Sequence, residues 1–223
     1  MSKKQKETPI LADEALGKSE AFIIKNKKPI TTILLIIIVA VVAYMGYKNY
    51  VLEPKEAEAN KALVVAAQNF EDGKYAESLD GDGVNLGTKE ISEIYSGTNA
   101  GNLAALYAGL ALAKQGSYEE AITYLEAFDG DDAIVAPKAK HALGNCYAHT
   151  GDNSKALKLI LDAAEEASNE AVTPFCWRDA AAMYEQEGKS AEAVELYERI
   201  KKEYPGSILV VSGEIEKQLN SVK

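Results

Sequence analysis

LYAGLALAKQGSYEEAITYLEAF (Leu106–Phe128), HALGNCYAHTGDNSKALKLILDAA (His141–Ala164) and WRDAAAMYEQEGKSAEAVELYERI (Trp177–Ile200) align on their Gly, Ala and aromatic positions. Gly116, Gly151 and Gly188 follow one another at 35 and 37 residues, a period that denotes an array of stacked helical units. Each unit reads as a helix pair, with its glycine ending the first helix in a left-handed conformation that satisfies dangling carbonyls. Gly109 and Gly144, and Ala121, Ala156 and Ala193, are small where two helices must approach most closely. Ser117-x-x-Glu120 reads as a capping box and Ser190-x-Glu192 as another helix start. Tyr118, Leu125, Tyr147, Leu159, Tyr184 and Tyr197 are expected between the helices, as core.

The array resembles the tetratricopeptide repeat family at its signature slots. Trp177 takes the Trp position, Leu143-Gly144 the Leu-Gly pair, and Tyr147 and Tyr184 the first-helix Tyr. Ala121, Ala156 and Ala193 take the second-helix Ala, Tyr197 the later aromatic and Pro205 the closing Pro. Upstream, Glu53 to Glu71 reads as a helix with Ala59, Ala62, Leu63, Ala66 and Phe70 on one face. Gly73-Lys74-Tyr75 repeats the inter-helix turn, so a degenerate first repeat is expected, its second helix broken at Asp80-Gly81-Asp82-Gly83 and resuming near Glu90. The Asp-x-Asp does not continue as a calcium loop, because Val84 and Asn85 stand where an oxygen donor and Gly are required and Ile91 where the bidentate Glu belongs. Ile208, Val211, Ile215, Leu219 and Val222 recur at helical spacing and predict one terminal helix covering the last repeat.

Ahead of all this, Ile30 to Tyr47 is eighteen residues without a charge. At 1.5 Å per residue it nearly matches a hydrocarbon core of about 30 Å, and Tyr44, Tyr47 and Tyr50 fall at the far interface. It shows no polar stripe, so a transmembrane helix is expected rather than a soluble core helix. Seven lysines and four acids precede it, a net +3, whereas the remainder carries 17 basic and 30 acidic residues, a net −13. With Lys25, Lys27 and Lys28 at the membrane edge, the positive-inside rule puts the N-terminus in the cytoplasm. A cleaved signal ending near Ala43 competes with this reading, but the leader and the apolar run are both long for one. Asp13 to Ile24 has the pattern of a short amphipathic helix. The expected organisation is all-α. Residues 1–28 form a basic tail, 29–48 a signal-anchor helix, 49–100 the degenerate first repeat with its connector, and 101–223 a solenoid of helical hairpins with a C-terminal cap.

The 223 residues carry a net charge of −10, with two histidines and two cysteines. That balance argues against phosphate-neutralising nucleic-acid binding. His141 and His149 are eight apart rather than at the four-residue spacing of a zinc pair. No Ser/His/Asp ordering, paired-carboxylate pocket or phosphate loop is present, so no catalytic residue, metal, cofactor or small-molecule substrate is expected. Cys146 and Cys176 occupy small-residue slots at opposite ends of adjacent first helices. Buried free thiols are the default there, and a disulfide the alternative.

The order of anchor, degenerate repeat, the Ser96-Gly-Thr-Asn-Ala-Gly-Asn-Leu-Ala-Ala-Leu-Tyr-Ala-Gly-Leu110 stretch and Tyr204-Pro-Gly-Ser207 resembles the YfgM-like ancillary subunits of the SecYEG translocon. The resemblance covers roughly Lys25 to Lys223. It implies a single-pass protein of the bacterial inner membrane with a periplasmic repeat domain, working beside the export channel with periplasmic chaperones. An envelope-assembly scaffold binding cell-wall or outer-membrane machinery is the alternative. In either case the first helices of a repeat stack present a partner groove. The repeat register places Leu103, Leu106, Leu110, Lys138, His141, Asn145, Phe175 and Arg178 on it. Leu106 and Leu110 stand where a C-terminal carboxylate clamp would need Lys and Asn, so that mode is not expected.

Overall fold

The apolar helix α1 (Lys27–Tyr47) buries none of its residues. A π-helical turn, Lys48–Leu52, follows it. The computed structural model describes residues 22–222 and divides into two units, Met1–Pro54 and Lys55–Lys223. The amphipathic segment expected over Asp13–Ile24 lies mostly outside the described residues. From Ile33 to Val39 each residue is more than half exposed, a contiguous apolar surface of the kind that marks an interaction with protein or lipid. The Thr31 hydroxyl donates to the Lys27 carbonyl at 2.9 Å and that of Thr32 to the Lys28 carbonyl at 3.0 Å, so neither needs water. This helix is long and apolar enough to cross a membrane once.

All regular structure among the described residues of the second unit is helical. It comprises α2 (Glu53–Glu71), α3 (Tyr75–Asp80), α4 (Thr88–Ile94), α5 (Asn99–Lys114), α6 (Tyr118–Ala127), α7 (Val135–His149), α8 (Asn153–Ala167), α9 (Thr173–Gln186), α10 (Ser190–Glu203), α11 (Ile208–Val211) and α12 (Glu214–Val222). α5/α6, α7/α8 and α9/α10 are three hairpins, each packed on the next. They close by the same turn. The amide after each left-handed glycine donates back five residues: Ser117 to Leu112 at 3.0 Å, Asp152 to Tyr147 at 3.0 Å and Lys189 to Tyr184 at 2.8 Å. Lys74 does the same to Asn69 at 2.8 Å, so the degenerate first repeat shares the closure expected of it.

The small slots behave as close approaches. A Cβ on Gly109 would stand 2.6 Å from Leu125 Cγ, and one on Gly144 would stand 2.7 Å from Ile160 Cγ1. Ala121, Ala156 and Ala193 are fully buried. Three apolar clusters result. One joins α2, α4 and the start of α5 through Ala59, Leu63, Ala66, Ile91, Ala100 and Ala104. The second centres on α5 and α6, and the third runs from α8 to α12. The first repeat is also tied electrostatically. The Glu56 carboxylate accepts from the backbone amides of Asn99 at 2.7 Å and Ala100 at 2.9 Å, capping α5 from another helix and meeting its positive end.

Two expectations are corrected. Ser117 makes no side-chain cap bond, and Glu120 pairs instead with Lys89 at 2.9 Å. Asp152, on nearly the same backbone, does cap, because its longer side chain reaches the Lys155 amide at 3.1 Å. The terminal helix is two helices, broken at Gly213, where φ is +77°. That break rotates the apolar face, so Leu209, Ile215 and Leu219 are buried while Ile208 and Val211 are 63% and 70% exposed. At the first-repeat insertion the Asp82 carboxylate accepts from the amides of Val84 at 2.9 Å and Asn85 at 2.7 Å. These bonds hold its pKa down at about 2, and the loop is an Asx turn.

Candidate partner groove

Register alone would put eight residues on one surface, and packing splits them. Leu106 is 6% exposed and belongs to the α5–α6 core, with Leu103 and Leu110 half-buried against the same cluster. Leu103 also packs on the cluster that contains Ala59, Leu63 and Ala66 of α2. Covered by the first repeat, the leucine row supports the fold, and Leu106 has no surface to offer a partner.

The polar residues converge. Lys138, His141 and Asn145 lie along one face of α7, spaced three and four apart, and Phe175 and Arg178 lie along α9. Lys138, His141, Phe175 and Arg178 line one open cavity of about 330 Å3, with Ala171 and Val172 completing its floor. Asp179, which the register did not select, organises the cluster. Its Oδ2 meets His141 Nε2 at 2.7 Å, while its Oδ1 accepts from Arg178 Nε at 2.9 Å and Nη2 at 2.7 Å. Asn145 Nδ2 reaches Oδ2 at 3.5 Å, and Arg178 Nη1 reaches Glu214 of α12 at 3.5 Å. Burial opposes ionisation of Asp179, but the bond from His141 and the charge of Arg178 outweigh it and hold the carboxyl below the usual range. Desolvation likewise works against Arg178, and Asp179 more than restores its charge. The signal for Asp179 was an isolated acid in the alanine-rich run Trp177-Arg-Asp-Ala-Ala-Ala182. No register argument marks Glu214, because it comes from beyond the repeats.

A larger cavity of about 610 Å3 opens over the start of α5. Its polar groups serve the fold. Thr98 Oγ1 accepts from the Gly101 amide at 2.9 Å and donates to the Tyr95 carbonyl at 2.6 Å. The Asn102 side chain pairs with the backbone N–H and C=O of Asp129 at 2.9 and 2.6 Å. Cys146 and Cys176 are both buried free thiols, and they sit in different clusters. Burial pushes Cys146 up to about 11 and Cys176 to about 12, which makes both inert as nucleophiles near neutral pH. Among the described residues no group of three His, Cys, Asp or Glu is placed to hold a metal ion.

Comparison with known proteins agrees with this architecture. Residues 179–207 match the tetratricopeptide repeat family. The fold is a tetratricopeptide-like solenoid. The crystal structure of MamA superposes with a TM-score of 0.55 at 16% identity, over 74% of this chain and 85% of that one. A variant of a putative Podosopora anserina kinesin light chain with nearly identical TPR-like repeats superposes with a TM-score of 0.56 at 14% identity, covering 75% and 90%. At such identities the likeness concerns the fold. No curated protein matches the chain significantly. Repeats of this kind form protein-binding scaffolds, and protein–protein interaction is the function class they support.

Proposed function

We infer that the chain is a non-enzymatic, membrane-anchored adaptor of the bacterial envelope. Its N-terminus lies in the cytoplasm and its repeats on the periplasmic side of the inner membrane. There it holds partner proteins beside the Sec translocon and links exported chains to periplasmic chaperones. One observation carries the reading: an apolar helix that buries nothing of itself, preceded by Lys25, Lys27 and Lys28, belongs to the same chain as a protein-binding repeat array. The lysines favour retention on the cytoplasmic side. The translocon and chaperone partners rest on the family resemblance.

The test is photo-crosslinking in intact cells from position 138, where an exposed side chain lines the cavity, with position 195 on the outer helix α10 as control. Adducts to translocon subunits or periplasmic chaperones from 138 alone are expected. Adducts to cell-wall or outer-membrane machinery would replace the adaptor by an assembly scaffold, and none above control would remove the groove from consideration.

A further inference from the structure

The cavity between α7 and α9 has a chemistry that narrows its occupant. Ala171, Val172 and Phe175 form an apolar floor, with Lys138 and Arg178 beside it. The acids at its wall are already engaged, Asp179 by His141 and Arg178, and Glu214 by Arg178. Lys138 is exposed and has no ion-pair partner among the described residues. The neighbouring Lys140 is neutralised by Glu166. Arg178 retains donor capacity, because a guanidinium carries five N–H groups and three bonds are made here, one of them stretched to 3.5 Å. Beyond the anchor the chain carries 17 basic and 30 acidic residues, so an opening that keeps Lys138 uncompensated, with both nearby acids spent on Arg178, runs against the charge of its own domain. The volume of about 330 Å3 sits at the small end of the roughly 300–1,000 Å3 of ligand pockets. That is ample for one bulky side chain, and the opening is wide enough to admit it from a passing chain.

We propose that this cavity anchors an internal acidic–apolar motif of a partner protein. A Phe or Leu side chain rests on Ala171 and Phe175, and a carboxylate two residues away is held by Lys138 and the unspent N–H groups of Arg178. The two-residue separation follows from an extended segment, in which alternate side chains share a face. The inference rests on the adaptor reading and deepens it by naming the chemistry a partner must present. Charge-assisted bonds carry the specificity, and the apolar contact supplies the burial.

The experiment uses the full chain in detergent micelles and fluorescence anisotropy with a short, labelled, C-terminally amidated peptide bearing Glu-Ser-Phe in a Gly/Ser background. Replacing Glu by Gln or Phe by Ala in the peptide, or making Lys138→Gln in the protein, is expected to weaken binding about tenfold each. Lys138 is exposed, so its variant keeps the fold, and an unchanged thermal melt checks that. Equal binding of the Glu and Gln peptides, absence of binding, or full binding to a Glu-free peptide with a free C-terminal carboxylate would overturn the proposal. Proteins crosslinked from position 138 without such peptide discrimination would leave the adaptor standing and remove only the motif. Peptide discrimination without cellular crosslinks to export or chaperone proteins would leave the motif and remove the adaptor's assigned partners.

Discussion

Leu103, Leu106 and Leu110 on α5 occupy the same repeat register as Lys138, His141 and Asn145 on α7, yet the first set lies in or against core and the second lines an opening. The helices are alike in length and in the turn that ends them. What differs is the neighbour: α2 and its partners cover the first face, whereas α9 meets the second through the His141–Asp179–Arg178 bonds and leaves a gap above them. A slot in a repeat therefore specifies direction, and the adjoining repeat decides whether that direction is interior or surface.

Stability measurements can break this comparison. Leu106→Ala removes buried side chain from the α5–α6 core and should cost about 3 kcal/mol in urea unfolding; a loss near zero would return the leucines to the surface. Asp179→Ala should cost about 2 kcal/mol, since it strands a half-buried histidine and arginine. Its effect should exceed that of Asp179→Asn, which keeps some hydrogen bonding. Acid sharpens the same point. The Asp179 carboxyl is lowered from its ordinary 3.8, so its contribution is complete above that pH and is lost as pH falls through the folded value. Asp179→Asn should flatten this part of the urea-midpoint profile, lying below the parent near neutrality and converging with it as pH falls. The smallest effect belongs to Lys138→Ala, expected within about 0.5 kcal/mol of the parent, because that side chain is exposed and unpaired.

Much of the fold was legible. Glycine spacing located the hairpins, and their closures share one hydrogen-bond pattern because each places a left-handed residue after a helix. Helix ends were less legible, since Ser117 and Asp152 share a backbone conformation and only the longer side chain reaches its amide. The terminal segment misled because a uniform helical period was carried across Ser212-Gly213, where the chain turns and the buried set shifts to Leu209, Ile215 and Leu219. At the groove, His141, Asn145 and Arg178 were selected together from their register, but Asp179 and Glu214, which bind them into one cluster, were not.

The linear order of residues determined the apolar N-terminal helix, the helix-pair period and the close-packed Gly and Ala slots, because these depend on contacts within a turn or within one hairpin. Tertiary structure alone decided that Glu56 caps α5, that the leucine row is packed in or against core and that Lys138 has no ion-pair partner among the described residues. Those outcomes depend on which helix arrives beside which. Between residues more than forty positions apart, as Glu56 and Asn99 are, no local period carries that information.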